Sequence, residues 1–200
     1  MVLNLVFVFI FMRVEYANLS RRRQEHFQSR INLDVYTGVA ELMDKHVVHK
    51  AKKNSLVIHE SGLGHFGADE PGIFIVVRSH GKKIKHVFLS DVNEKPLEKA
   101  REAIKGLPEE LRKKVHLAKG GPHKLSPAEK ADVTISSWVT WPMDFLSRKE
   151  HLKNIVDATK PGGFVFLDRH TARDNAPLLH NLKLERLDKT REVHLFRKKL

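Results

Sequence analysis

Ile58-His59-Glu60-Ser61-Gly62-Leu63-Gly64-His65-Phe66-Gly67 decides how this chain is read. The stretch continues the apolar run Leu56-Val57-Ile58 and sets an acidic residue, Glu60, ahead of three glycines. A strand that ends in a glycine-rich turn lets the backbone approach a ligand that any Cβ would hold off. Taken alone, a Gly-x-Gly-x-x-Gly turn is common. Asp91 strengthens the reading, because it closes the next apolar run, His86-Val87-Phe88-Leu89-Ser90. A carboxylate in that place can accept hydrogen bonds from ribose hydroxyls. Together they imply a nucleoside-binding site; the competing reading is an ordinary turn and an ordinary surface aspartate.

Outward from that turn the chain alternates strand and helix patterns. Strands are expected at Leu56–His59, His86–Ser90, Val115–Ala118, Asp132–Ser136 and Phe164–Asp168. A helix is expected over Pro96–Lys105, ended by Gly106-Leu107-Pro108, and another over Arg148–Thr159, followed by a Lys160-Pro161-Gly162-Gly163 turn. Ile73–Arg78 reads as a crossover helix or an extended element, since its β-branched residues suit either. The end of the chain, Leu182–Leu187 and Arg191–Arg197, reads as two strands around a turn at Asp188-Lys189-Thr190. Strands separated by helical segments imply a parallel sheet with helices on both faces, and the closing pair implies an antiparallel edge. The expected fold class is therefore α/β: a doubly wound, mostly parallel seven-stranded sheet with an antiparallel C-terminal edge pair.

Before the first strand, residues 19–50 read as a helical extension. Ser20 is a candidate N-cap, and Phe27, Ile31, Val35, Val39 and Leu42-Met43 recur at helical spacing. Arg21-Arg22-Arg23 read as a solvated face, with phosphate contact as the alternative. The apolar run Met1–Met12 is shorter than the roughly 20 residues that span a bilayer. It lacks the basic flank and cleavage site of a signal peptide. The expectation is an added strand or an upstream extension with Met12 as the start, rather than a membrane anchor. The domain expectation is an N-terminal apolar segment and helical extension over 1–50, then one Rossmann-like domain over 51–200.

These segments collectively resemble the class I S-adenosylmethionine-dependent methyltransferases. Four pieces carry the likeness, in order. Val57–Gly67 is similar to the family's acidic-x-Gly-x-Gly-x-Gly turn, with the third glycine one place late. Val87–Asn93 running into Pro96–Arg101 looks like strand 2 and its helix. Ala131–Trp138 resembles strand 4, whose end faces the transferable methyl. Val156–Leu167 matches a helix, a Lys-Pro-Gly-Gly turn and strand 5. The resemblance implies a Rossmann-like methyltransferase domain binding S-adenosyl-L-methionine through Glu60, Gly62, Leu63, Gly64, Gly67, Asp91, Val92 and Ser136. Asp91 would bind the ribose and Val92 would lie against adenine. Where many members place an adenine-binding acid after strand 3, this chain has Gly120-Gly121-Pro122.

The C-terminal ends of parallel strands hold the sites of such folds. Candidate substrate residues are therefore Ser137, Trp138 and Trp141 after strand 4, and His170 after strand 5, a possible general base. Competing readings are lid packing for the tryptophans and an ordinary surface histidine. No catalytic residue is assigned, because the sulfonium needs alignment more than a base. Ser-Ser-Trp-Val stands where the amino-methylating nucleic-acid enzymes carry Asn/Asp-Pro-Pro-Tyr/Phe, and the absence of cysteine excludes the cysteine-dependent cytosine C5 route. Nor is a metal site expected: His46 and His49 share a helix but lack a third ligand.

A net charge of +12 and a pI of about 9.9 favour an anionic partner, nucleic acid among them. The alternative is a thermophile-like solvated surface rich in Lys and Glu. The lack of cysteine fits a cytoplasmic location, and no membrane partner is expected. The sequence is thus expected to encode a methyltransferase of unknown acceptor, leaning to nucleic acid or another anionic acceptor. The alternatives are a small-molecule methyltransferase, an NAD-dependent oxidoreductase, or a non-catalytic nucleic-acid-binding module on the same fold.

Overall fold

A computed structural model describes residues 21–63, 71–121, 129–137 and 143–200, with side chains from residue 33 onward except Phe145. Among the described residues the chain opens with helix α1, Arg21–His46, followed by a 3-10 turn at Val48–Lys50. Then come β1 (Leu56–Ser61), α2 (Ile73–His80), β2 (Ile84–Asp91), α3 (Glu94–Lys105), α4 (Glu109–Arg112) and β3 (Val115–Lys119). The second half runs β4 (Ala131–Ser136), α5 (Phe145–Ala158), β5 (Thr159–Asp168), α6 (Arg169–Asp174), α7 (Ala176–Asn181), β6 (Leu184–Lys189) and β7 (Val193–Lys198).

The seven strands form one sheet in the order β3-β2-β1-β4-β5-β7-β6. β3, β2, β1, β4 and β5 are parallel, and β7 runs antiparallel to both β5 and β6. Side chains alternate across a strand, and β5 shows the consequence. Phe166 joins a core with Val35, Val39, Met43, Phe74, Ile58, Leu89 and Ile135, under α1, α2 and α3. Its neighbours Val165 and Leu167 join Leu152, Ile155, Ala172 and Leu179, under α5, α6 and α7. The sheet is thus wound on both faces, as the alternating pattern implies.

One open expectation is decided and others need correction. Of the two readings for Ile73–Arg78, the helix is the one found, over Ile73–His80: five of its residues are buried against α1 and the sheet, which overrides the strand preference of its β-branched residues. Lys160–Gly163 is not a free turn. It lies inside β5, where Ala131 pairs with Thr159 and Val133 with Phe164, so the strand absorbs its extra residues as a bulge. α5 starts earlier than expected because Asp144 caps it, accepting from the Ser147 N–H at 3.0 Å. The last two strands are shifted by about two residues, and their turn is held by Thr190, whose N–H donates to the Val193 carbonyl.

Candidate functional site

Glu60 stands at the end of β1, beside the gap in strand order between β1 and β4. In open α/β sheets ligands bind at such a switch point. Its side chain is 1% exposed. The next turn is made by Gly62, whose φ of 81° puts it in the left-handed region that favours glycine. The Gly62 N–H donates to the Ser90 carbonyl at 2.8 Å, which fastens the turn to β2. Asp91, at the end of β2, holds the same turn from the side. One carboxylate oxygen accepts from the Leu63 N–H at 2.9 Å and the other from the Asn93 N–H at 2.8 Å. Lone pairs remain on both oxygens. Val92 follows with 68% of its surface exposed, an apolar face held open beside the carboxylate.

The structure therefore brings together Glu60, Gly62, Leu63, Asp91 and Val92. Gly64 and Gly67 lie outside the described residues, as do Trp138, Trp141 and Met1–Met12. In the strand 3 loop, the Gly120 N–H is already donated to the Asp91 carbonyl at 2.8 Å.

One residue of this cluster escaped the sequence reading. Tyr36 of α1 donates its hydroxyl to Glu60 Oε1, and the same oxygen lies 3.1 Å from Ser137 Oγ beyond β4. The phenol thus bridges both sides of the switch point. Its ring rests on Gly72 at the start of α2, where an added Cβ would come within 2.1 Å of it. The available signal was weak: Tyr36 is a polar-tipped side chain on the buried stripe of α1, next to Val35.

Electrostatics make Glu60 unusual. Burial pushes its carboxyl well above the usual carboxylate range, and the Asp91 charge adds to the push. Its other oxygen, Oε2, is buried without a hydrogen-bond partner among the described residues. Ser136 and Ser137 diverge, as consecutive strand residues do. Ser136 Oγ lies 3.0 Å from His151 Nε2 on α5, under the opposite face, and burial lowers His151 to about 4. Ser137 joins Tyr36. Past β5, Asp168 caps α6 through the N–H groups of His170 and Thr171. His170 is half-buried in that first turn, and burial lowers its pKa.

No protein-family model and no curated protein matches the sequence. Solved structures do match in fold. The N-methyltransferase NodS from Bradyrhizobium japonicum WM9 superposes with a TM-score of 0.57 at 14% identity, over 81% of this chain and 95% of that one. A second NodS structure, in complex with S-adenosyl-L-homocysteine, gives 0.55 at 14% identity, over 82% and 85%. A methyltransferase from Pyrococcus furiosus gives 0.53 at 18% identity, over 81% and 82%. The chain has the class I methyltransferase fold. This fold differs from the usual dinucleotide-binding order 3-2-1-4-5-6 by the antiparallel β7 inserted between β5 and β6.

Proposed function

We propose that this protein is an S-adenosylmethionine-dependent methyltransferase acting on an anionic acceptor, with RNA or DNA the first to test. One observation carries the cofactor reading: Glu60 and Asp91 close β1 and β2 around a left-handed Gly62, beside the switch point of a methyltransferase fold. The residues suit the group. Asp91 is oriented by two backbone N–H groups and keeps lone pairs for ribose hydroxyls. Val92 offers an exposed apolar face to adenine. Glu60 holds a buried oxygen that has no partner among the described residues. The bound cofactor would supply a methyl already activated on its sulfonium, leaving alignment to the protein. Ser137, with Trp138, Trp141 and His170, would border the acceptor.

Calorimetry with S-adenosyl-L-homocysteine and with NAD tests the cofactor. The sulfur nucleoside should bind and NAD should not; the reverse order sinks the proposal. Asp91→Ala should weaken binding by about 1–3 kcal/mol, the cost of leaving buried polar partners unmet.

The acceptor reading rests on the +12 charge. Binding to labelled RNA or duplex DNA should fall steeply with salt, with a log–log slope of roughly −0.9 per duplex phosphate neutralised. Absence of saturable binding even at about 50 mM salt would transfer the proposal to a small-molecule acceptor.

A further inference from the structure

Glu60 presents an unbalanced arrangement. Oε1 is satisfied by Tyr36, while Oε2, equally enclosed, meets no partner among the described residues. The groups facing it can be named element by element. α1 contributes Tyr36, β2 contributes Asp91, and Ser137 closes the side beyond β4. α2 brings Gly72 against the Tyr36 ring. Among these described neighbours there is no cation. A buried carboxylate without a cation, and with a second carboxylate close by, is costly to keep ionised.

We propose that cofactor binding expels one proton from this site: Glu60 is a neutral acid in the free protein, and it ionises when the ammonium group of the ligand's amino-acid tail arrives at Oε2. The proton leaves the carboxyl O–H for solvent, and the new carboxylate pairs with the ammonium. The inference rests on the cofactor reading above and adds the protonation state and its control. Tyr36 is the positioning residue. A donor to Oε1 favours the charged form of the carboxyl, so the phenol keeps ionisation within reach of the ligand's charge. It also fixes which oxygen is left for the ligand. The direction in which burial and Asp91 move Glu60 agrees with this geometry.

The test has a ligand-free arm and a ligand arm. The infrared spectrum of the free protein at neutral pH should contain the carbonyl stretch of a protonated, buried carboxylic acid, lost in Glu60→Gln. Calorimetry in buffers of different ionisation enthalpy should show close to one proton released on binding S-adenosyl-L-homocysteine. Affinity should rise roughly tenfold per pH unit while Glu60 remains protonated in the free protein. 5′-Methylthioadenosine, which lacks the ammonium, should bind without proton release. Tyr36→Phe should move the pH profile of binding to higher pH, a shift that a purely structural role would not produce. Tight binding of S-adenosyl-L-homocysteine with neither proton release nor the acid band overturns this inference and leaves the cofactor reading standing. An unmoved profile in Tyr36→Phe removes the role of Tyr36. No binding of S-adenosyl-L-homocysteine at any pH overturns the cofactor reading, and this inference with it.

Discussion

His59 and Glu60 are neighbours on β1, each 1% exposed, and each has buried polar atoms without a partner among the described residues. Both are shifted toward their neutral forms: burial lowers His59 to about 4 and raises Glu60. They face opposite sides of the sheet. Glu60 meets Tyr36, Asp91 and the turn at Gly62. His59 meets a row of rings, edge-on to Phe88 at 5.0 Å, with His116 stacked beyond. The same burial therefore has two meanings. Beside the switch point, an unmet oxygen suits an incoming donor. In the ring row, an unmet imidazole is a liability against acid. Neighbourhood, rather than burial or pKa direction, separates the proposed binding group from the packed one.

The contrast can be broken most strongly by acid. His59 has a folded-state pKa below its ordinary 6.5. Its contribution is intact above that value and is lost as pH falls toward about 4. The loss should reach about 3 kcal/mol. Denaturant unfolding of His59→Phe at pH 7 and near pH 4.5 should recover most of this, with His151 retaining its own share. Equal acid sensitivity in the variant would show that His59 is not the group that titrates.

Glu60 should behave with the opposite sign. Its folded-state pKa lies above the ordinary value, so its contribution is whole below about 4.5 and declines as pH rises toward the folded value. Glu60→Gln should therefore unfold at a higher temperature than the wild type on the alkaline side, yet bind S-adenosyl-L-homocysteine about 1–3 kcal/mol more weakly. His59→Phe should leave that affinity unchanged. If the two variants lost affinity equally, the division between the faces would fail.

Gly62→Ala sharpens the comparison further. A left-handed residue with a Cβ costs about 1–2 kcal/mol, and the turn at Gly62 serves only the Glu60 side. Unfolding should register that cost, with ligand affinity falling too. Gly72→Ala should also be destabilising, because its new methyl would lie 2.1 Å from the buried Tyr36 ring, and overpacking of that kind costs about 1–3 kcal/mol. The pH profile of binding should move as it does in Tyr36→Phe.

Much of the fold was legible in the sequence. β1, β2, β3 and β4 are found within about two residues of their apolar runs, because buried parallel strands carry unbroken apolar stretches. The paired acids Glu60 and Asp91 stood out because each ends such a run. What stayed hidden depends on tertiary contact. α6 and α7 are six-residue helices set by the Asp168 cap and by Pro177, too short for periodicity to reveal. The bulge at Lys160–Gly163 exists only through pairing with β4. Tyr36 belongs to the site only because α1 lies over the end of β1. The sequence reading puts Ser136 at the cofactor and Ser137 at the acceptor, and only the structure shows that Ser136 turns to His151 on α5 while Ser137 turns to Tyr36.

The Tyr36 bridge has a consequence for how the molecule opens. Tyr36 and Ser137 are 101 residues apart, and α1 is also tied at its far end, where Lys45 and His46 both reach Asp188 at 2.7 Å. No short stretch of chain contains the whole cluster. It exists only while α1 is docked. Contacts this distant in sequence are slow to form, because loop closure must be met before they contribute. A ligand that needs the assembled cluster binds the docked state alone, so occupancy adds directly to the free energy of undocking. Backbone amides of α1, remote from the glycine turn in sequence, should then exchange with deuterium more slowly when the ligand is bound, and the first helix becomes a gauge of occupancy at the sheet.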